Sequence, residues 1–223
     1  MRTLYHAWLN PFARKVRVAL GEKKLEFEAV AVEDGPPSPD LVALNPAGEV
    51  PVLIEPDGTV LADSVAITEF LDEIHPMPCL LGENPVRRAE VRRLVAWFDL
   101  KFNRDVTIGL VGEKLLKRHG RGRNEPDSKL IRTGFEMIGP HLEYIGWLTE
   151  QRRWLAGDDF SLADIAAAAH ISAVDYGGGV PWDACPAAKD WYARVKSRPS
   201  FRPLLADHLP GAPPPPHYAD LDF

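Results

Sequence analysis

The sequence predicts an α/β domain followed by an all-α domain. Three observations carry this expectation. Short apolar, β-rich segments alternate with short helices up to residue 76, and beyond residue 86 the apolar residues recur at helical spacing. Between them, Pro76 to Pro85 is rich in proline and has no periodicity. The expected units are therefore residues 1–76, a linker at 77–85, a helical domain at 86–209 and a proline-rich tail at 210–223.

Each element has a local reason. Thr3-Leu4-Tyr5-His6 is a short strand, and Arg14 to Glu22 is an amphipathic helix with interleaved basic residues, started after Pro11. Phe27 to Val32 is β-rich and apolar, while Gly35-Pro36-Pro37-Ser38-Pro39 is a loop by composition. Val50 to Ile54 is a third strand, and Pro56-Asp57-Gly58 turns the chain into a fourth, Val60 to Ala62. Asp63-Ser64 caps a helix from Val65 to Ile74. The order β-α-β-loop-β-β-α in under 80 residues is a thioredoxin-like layout.

Beyond the linker, Val86 to Leu116 reads as one long helix or a broken pair, and residues 117–126 as a basic, glycine-broken loop. Further helices are expected over Lys129 to Arg152, after Phe160, over Trp182 to Ser197 and, briefly, over Pro199 to Leu205. Ser161 with Asp164 three residues on forms a capping box, and Phe160 and Ile165 are spaced for a hydrophobic staple.

Composition narrows the function classes. The 223 residues suffice for one large core or two modest ones. A net charge of -6 gives no overall electrostatic case for nucleic-acid binding. No apolar run has the length of a membrane span and no signal-peptide pattern opens the chain, so a cytoplasmic setting is expected. The two cysteines, Cys79 and Cys185, are too few for a disulfide framework and form no Cys-x-x-Cys pair. No metal site is expected.

Two places could bind a small peptide. Val50-Pro51 joins a loop to a strand, a position suited to a cis bond. In a thioredoxin-like fold that turn leaves the Val50 N–H and C=O available to an extended ligand; a strand that merely begins with proline fits the same residues. Asp63-Ser64 stands at a helix start, where free N–H groups and the dipole favour a carboxylate and Ser64 adds a hydroxyl. Taken alone, that dipeptide is better explained by simple capping.

Together with these sites, Asn45 to Leu53 resembles the glutathione-binding half of the glutathione-transferase superfamily, and Asn10 to Arg17 resembles its first loop and helix. Ser161 to Asp164 resembles the capping box of its second domain, and Arg198 to Phe201 its closing segment. The resemblance runs over nearly the whole chain and implies the glutathione-transferase fold. It implies that the Val50 backbone beside Pro51 pairs with the cysteinyl part of glutathione, and that Asp63 and Ser64 hold the γ-glutamyl end. Members place Ser, Cys or Tyr before the Pro-Phe to support the thiolate; here Asn10 holds that position, a weak donor that cannot act as a covalent thiol. Asn10 is thus a degenerate activator, glutathione a ligand or substrate rather than a required cofactor.

Tyr144 to Leu148, Asp190 to Leu205 and His217 to Phe223 are similar, within the superfamily, to the glutathione-transferase-like division proteins of alphaproteobacteria that bind the tubulin homologue FtsZ. That similarity implies a homodimer that binds FtsZ filaments, recruited to the division site, with a tail that signals to the cell-wall synthesis machinery. Lys117, Arg118, Arg121, Arg123 and Arg132 are candidates for an acidic partner, and Asp220 and Asp222 for function in the tail. The four prolines Pro213 to Pro216 hold an extended spacer; the aromatic and acidic groups after it fit either packing on the helical domain or docking to another protein. Glutathione transfer to an electrophile is the alternative activity.

Overall fold

The computed structural model describes residues 1–32, 35–119 and 125–221. Strand β1 (Arg2–His6) lies at the centre of a mixed four-stranded sheet with β2 (Phe27–Ala31), β3 (Val52–Ile54) and β4 (Val60–Ala62), in the order β2-β1-β3-β4. β1 and β2 run parallel, with Leu4 opposite Ala29; β1 with β3 and β3 with β4 run antiparallel. The crossover between β1 and β2 is α1 (Pro11–Glu22), which buries Val16 and Leu20 against Leu4, Leu53, Ile67 and Leu71. The last two belong to α3 (Ser64–Ile74), which packs beside α1.

Two expectations in this half need correction. The segment after the prolines is not all loop: α2 (Pro39–Leu44) forms because Ser38 Oγ accepts from the Leu41 N–H at 3.2 Å and Pro39 stands at the first helical position. Helix α1 also begins earlier than the basic pattern suggests. Asn10 caps it and Pro11 opens it.

The helical half begins with α4 (Pro85–Ala96), capped by Asn84. It runs without a break into a stretch of wider, π-type winding, Trp97–Leu116, and then into the one-turn α5 (Lys117–His119). Lys117 and Arg118 therefore lie on a helix and not in a loop, while Arg121 and Arg123 lie outside the described residues. Helix α6 (Ser128–Gln151) packs along the π-wound stretch, and α7 (Leu162–Tyr176) is buried on every side. The capping box at its start is formed: Asp164 Oδ2 accepts from the Ser161 N–H at 3.1 Å. The helix expected over Trp182 to Ser197 divides at Pro186 into a single 3-10 turn, Trp182–Ala184, and α8 (Pro186–Lys196). A short α9 (Arg202–Leu205) follows.

Most apolar burial lies in one cluster that spans these helices and also takes in Leu9, Val18 and Ala19 from the first unit and Leu80 and Leu81 from the linker. The two halves thus share a core. Two cationic side chains of α1, Lys15 and Arg14, clip them together, and Lys23 just after it holds the linker. Lys15 bonds Asp99, Arg14 bonds Asp207, and Lys23 bonds Asp72 and the Pro78 carbonyl, all with their charged heads buried. Two of the basic residues interleaved in this helix, Arg14 and Lys15, are therefore interface residues.

The tail packs back on its own domain, one of the two arrangements its sequence allows. Tyr218 is fully buried against Tyr176, and Lys196 Nζ donates to the carbonyls of His217 and Asp220. Among the described residues no helix is long and apolar enough to cross a membrane, and no cluster of three His, Cys, Asp or Glu side chains could hold a metal ion. Trp147 on α6 is 51% exposed and stacked on Tyr144. Trp8 lies outside the core, as its loop position suggests.

Candidate functional site

The site lies where the sheet edge meets the π-wound stretch. The loop before β3 is held by Asn45, whose Nδ2 donates to the Glu49 carbonyl at 2.8 Å and whose Oδ1 accepts from the Ala47 N–H at 3.2 Å. Gly48 has a positive φ of 67°, and a Cβ there would meet Pro37 at 2.7 Å, so the loop requires glycine. It delivers a cis Val50-Pro51 bond, with Pro51 buried and Val50 half-buried.

Across from that turn, Asp63 adopts a φ of 73°, uncommon for a residue with a Cβ. The geometry lets its Oδ1 accept from the N–H groups of Val65 at 2.7 Å and Ala66 at 3.0 Å, capping α3. Ser64 is buried at the first helical position, and its carbonyl accepts from Thr68 Oγ1 at 2.8 Å. Val50, Pro51, Asp63 and Ser64 line one cleft of about 590 Å³, together with Phe12 and with Asp99, Leu100 and Asn103 from the second half of the chain. This is the volume of a small peptide site. The helix N-terminus would receive a carboxylate and the Val50 main chain an extended backbone.

Asn10 is placed elsewhere. It borders a second, more apolar cleft of about 750 Å³, lined also by Trp8, Leu9, Ile108, Val111, Leu209 and Pro210. Its Oδ1 accepts from the Ala13 N–H at 2.9 Å as the cap of α1, so only its amide NH2 could face a ligand.

Below the clefts is a buried polar group that sequence reasoning missed. Asp99 bonds Lys15, and its Oδ1 lies 3.5 Å from His170 Nε2; Thr107 Oγ1 lies 2.9 Å from His170 Nδ1. Burial pushes the Asp99 carboxyl up, but His170 and Lys15 outweigh this and hold it below its usual range. Burial lowers His170, with Asp99 partly opposing. Nothing in the sequence joins these residues, which stand on α1, the π-wound stretch and α7; only an Asp and a His inside otherwise apolar helical patterns could have drawn notice.

The candidates for partner binding are scattered. Lys117 Nζ donates to Glu113 Oε2 at 2.7 Å, and Arg118 and Arg132 are exposed on α5 and α6. Asp220 is exposed near the end of the tail, and Asp222 lies outside the described residues.

Comparison with known proteins agrees with this architecture. The family models for the glutathione S-transferase N-terminal and C-terminal domains match residues 11–74 and 135–199. The FtsZ-localized protein A of Caulobacter vibrioides is 48% identical over 225 residues, covering 100% of this chain and 98% of that protein. A crystal structure of a glutathione S-transferase from Rhodospirillum rubrum F11 superposes with a TM-score of 0.97 at 58% identity, covering 100% of both chains. The structure of FzlA from C. crescentus does so with a TM-score of 0.95 at 48% identity, covering 100% of this chain and 99% of that one. With both domain models in order and full-length relatives well above the level that fixes a family, the chain belongs to the glutathione S-transferase family.

Proposed function

We propose that this chain is a non-catalytic interaction protein of the glutathione-transferase fold that binds FtsZ filaments in bacterial cell division. The observation that carries the reading is the 48% identity to FtsZ-localized protein A over 100% of this chain, tail included. Two features support it. Asn10 gives the activator position no thiol or hydroxyl, and its oxygen is spent on capping α1. The tail is seated on the helical domain by Tyr218 and Lys196 as far as Asp220.

The chain acts as a homodimer on the cytoplasmic side of the division site. An apolar groove between α3 and α4, lined by Val65, Leu81, Val95, Ala96 and Leu100, offers the surface for a second copy; Val65 and Leu100 are exposed there. Lys117, Arg118, Arg121, Arg123 and Arg132 are the candidates for contact with an acidic partner, and the tail residues Asp220 and Asp222 for the signal to the cell-wall synthesis machinery.

Co-sedimentation with FtsZ polymerised in GTP tests the reading. The chain is expected in the pellet with polymer and in the supernatant without it. Recovery in the supernatant in both cases would overturn the proposal.

The peptide cleft favours a second reading, a glutathione-dependent transferase, because Val50 and Ser64 line one cleft whose volume fits a tripeptide. Turnover of a generic electrophile that falls on Asn10→Ala would support it; turnover no faster than without protein would count against it.

A further inference from the structure

The sheet ends on one side at β2, and among the described residues no strand lies beyond it. The opposite edge, β4, is three residues long; β2 has five, enough to template a further strand. One bond fixes which groups of β2 are open. The Val32 N–H donates to the His6 carbonyl at 2.7 Å, and β1 runs parallel to β2 with His6 opposite Ala31. Successive residues of a strand turn their main chain to opposite sides, so Glu28 and Val30 bond β1 as Val32 does. Phe27, Ala29 and Ala31 therefore direct their N–H and C=O groups outward, and Ala29 and Ala31 are exposed.

Edges of this kind are commonly blunted by lysine, proline or a bulge. Strand β2 contains neither residue, and its register with β1 is unbroken. Its charge is acidic instead. Between residues 24 and 40 stand five acids, Glu26, Glu28, Glu33, Asp34 and Asp40, against the single Lys24. That balance repels the same edge of a second copy and attracts a basic strand. The two faces of β2 set the rest of the pattern. Leu4 pairs with Ala29 and packs in the core under α1, which Phe27 also joins, so Phe27, Ala29 and Ala31 share an apolar face. Glu28 is exposed on the other. At the end of the strand Ala31 and Val32 border the apolar cleft.

We propose that the β2 edge docks an extended segment of another protein, in which basic and apolar residues alternate, as a fifth strand of the sheet. The outward main-chain groups of Ala29 and Ala31 hold it. Its cations stand beside Glu28, and its apolar side chains lie alongside Phe27, Ala29 and Ala31. This surface differs in sign and in domain from the basic candidates of the helical half, so it serves a second partner.

Fluorescence anisotropy of the full chain with a labelled hexapeptide, Lys-Val-Lys-Val-Lys-Val, tests this. The peptide is expected to bind, and its counterpart with glutamate for lysine is not. N-methylation of one alternate set of peptide amides should abolish binding, and of the other set should spare it, because one side of an added strand faces β2. Ala29→Pro removes an outward N–H and none of the bonds to β1, and should weaken the peptide about threefold to tenfold. Glu28→Lys leaves every main-chain group in place and should weaken it about twofold to tenfold. Equal loss from both methylated sets, or undiminished binding in both protein variants, would show adhesion by charge alone and overturn the proposal. So would a lysine peptide that does not bind the unaltered chain.

Discussion

His6 shows how a single buried side chain sets a response to pH. It lies on the central strand with its ring fully buried and edge-on to Trp8, and its two nitrogens find no hydrogen-bond partner among the described residues. Burial first, then the nearby positive charges of Arg17 and Arg14, lowers its pKa to about 4, with Asp207 opposing. The unfolded chain would titrate near the ordinary value of about 6.5. Above that pH both states are neutral and nothing is lost. As the pH falls from 6.5 toward 4, the unfolded chain takes up a proton that the folded one refuses, and stability drops by up to about 3 kcal/mol. Thermal midpoints measured across this window should fall steadily, and His6→Leu should flatten the fall. His141 and His170, also lowered by burial, leave part of the slope in place. A variant whose profile parallels that of the unaltered chain would show that His6 is not the group concerned.

At the scale of elements, the closest packing is between the π-wound stretch and α6. Gly109 makes it possible: a Cβ there would stand 2.3 Å from the Leu130 carbonyl oxygen, a backbone atom that cannot swing aside. Gly112, one turn on, would meet nothing within 4 Å. Gly109→Ala should therefore force the helices apart and cost about 1–3 kcal/mol. Gly112→Ala should be neutral or stabilise by up to about 1 kcal/mol, since alanine loses less backbone freedom on folding. Denaturant midpoints for the pair check this, and equal effects at both positions would contradict it. The two glycines look alike in the sequence, which carries the helical period of this region but not which face lies against a neighbour. The same gap explains the other misreadings. Caps written in adjacent residues, Asp63 before α3 and Ser161 with Asp164, were legible because their partners lie within four positions. Helix α2 was hidden by the three prolines around its cap. The partners of Lys15 and Arg14 could not be read from the sequence because Asp99 and Asp207 stand 84 and 193 positions away. Of the candidate site, the turn at Val50 and the start of α3 could be read locally; the wall of Asp99, Leu100 and Asn103 could not, because residues within a helical pattern do not show which side of the helix lines a cleft.

At the scale of the molecule, one buried guanidinium joins the first unit, the second and the tail. Arg14 donates from Nε to the Trp8 carbonyl at 2.7 Å, from Nη1 to Ser172 Oγ at 2.8 Å and to the Tyr218 hydroxyl at 2.9 Å, and from Nη2 to Asp207 Oδ2 at 3.1 Å. Tyr218 passes the link on by donating to the Leu204 carbonyl at 3.1 Å. The tail is thus tied to the loop that carries Trp8 and Asn10 at the rim of the apolar cleft. Tyr218→Phe keeps the ring, its contact with Tyr176 and nearly all the volume, but leaves Arg14 one acceptor short and takes the hydroxyl donor from the Leu204 carbonyl, which keeps the Asp207 N–H. A buried donor left short of its acceptor costs about 1–3 kcal/mol. For a chain of this length that corresponds to roughly 2–10 °C in Tm. The effect should not stay in the tail. Hydrogen exchange should quicken at the amides of residues 7–10 as well as 217–220, because the lost bond belongs to a side chain that positions both. Faster exchange confined to the tail, with Tm unchanged, would show that the tail merely rests on the helical domain and that Arg14 does not couple it to the cleft.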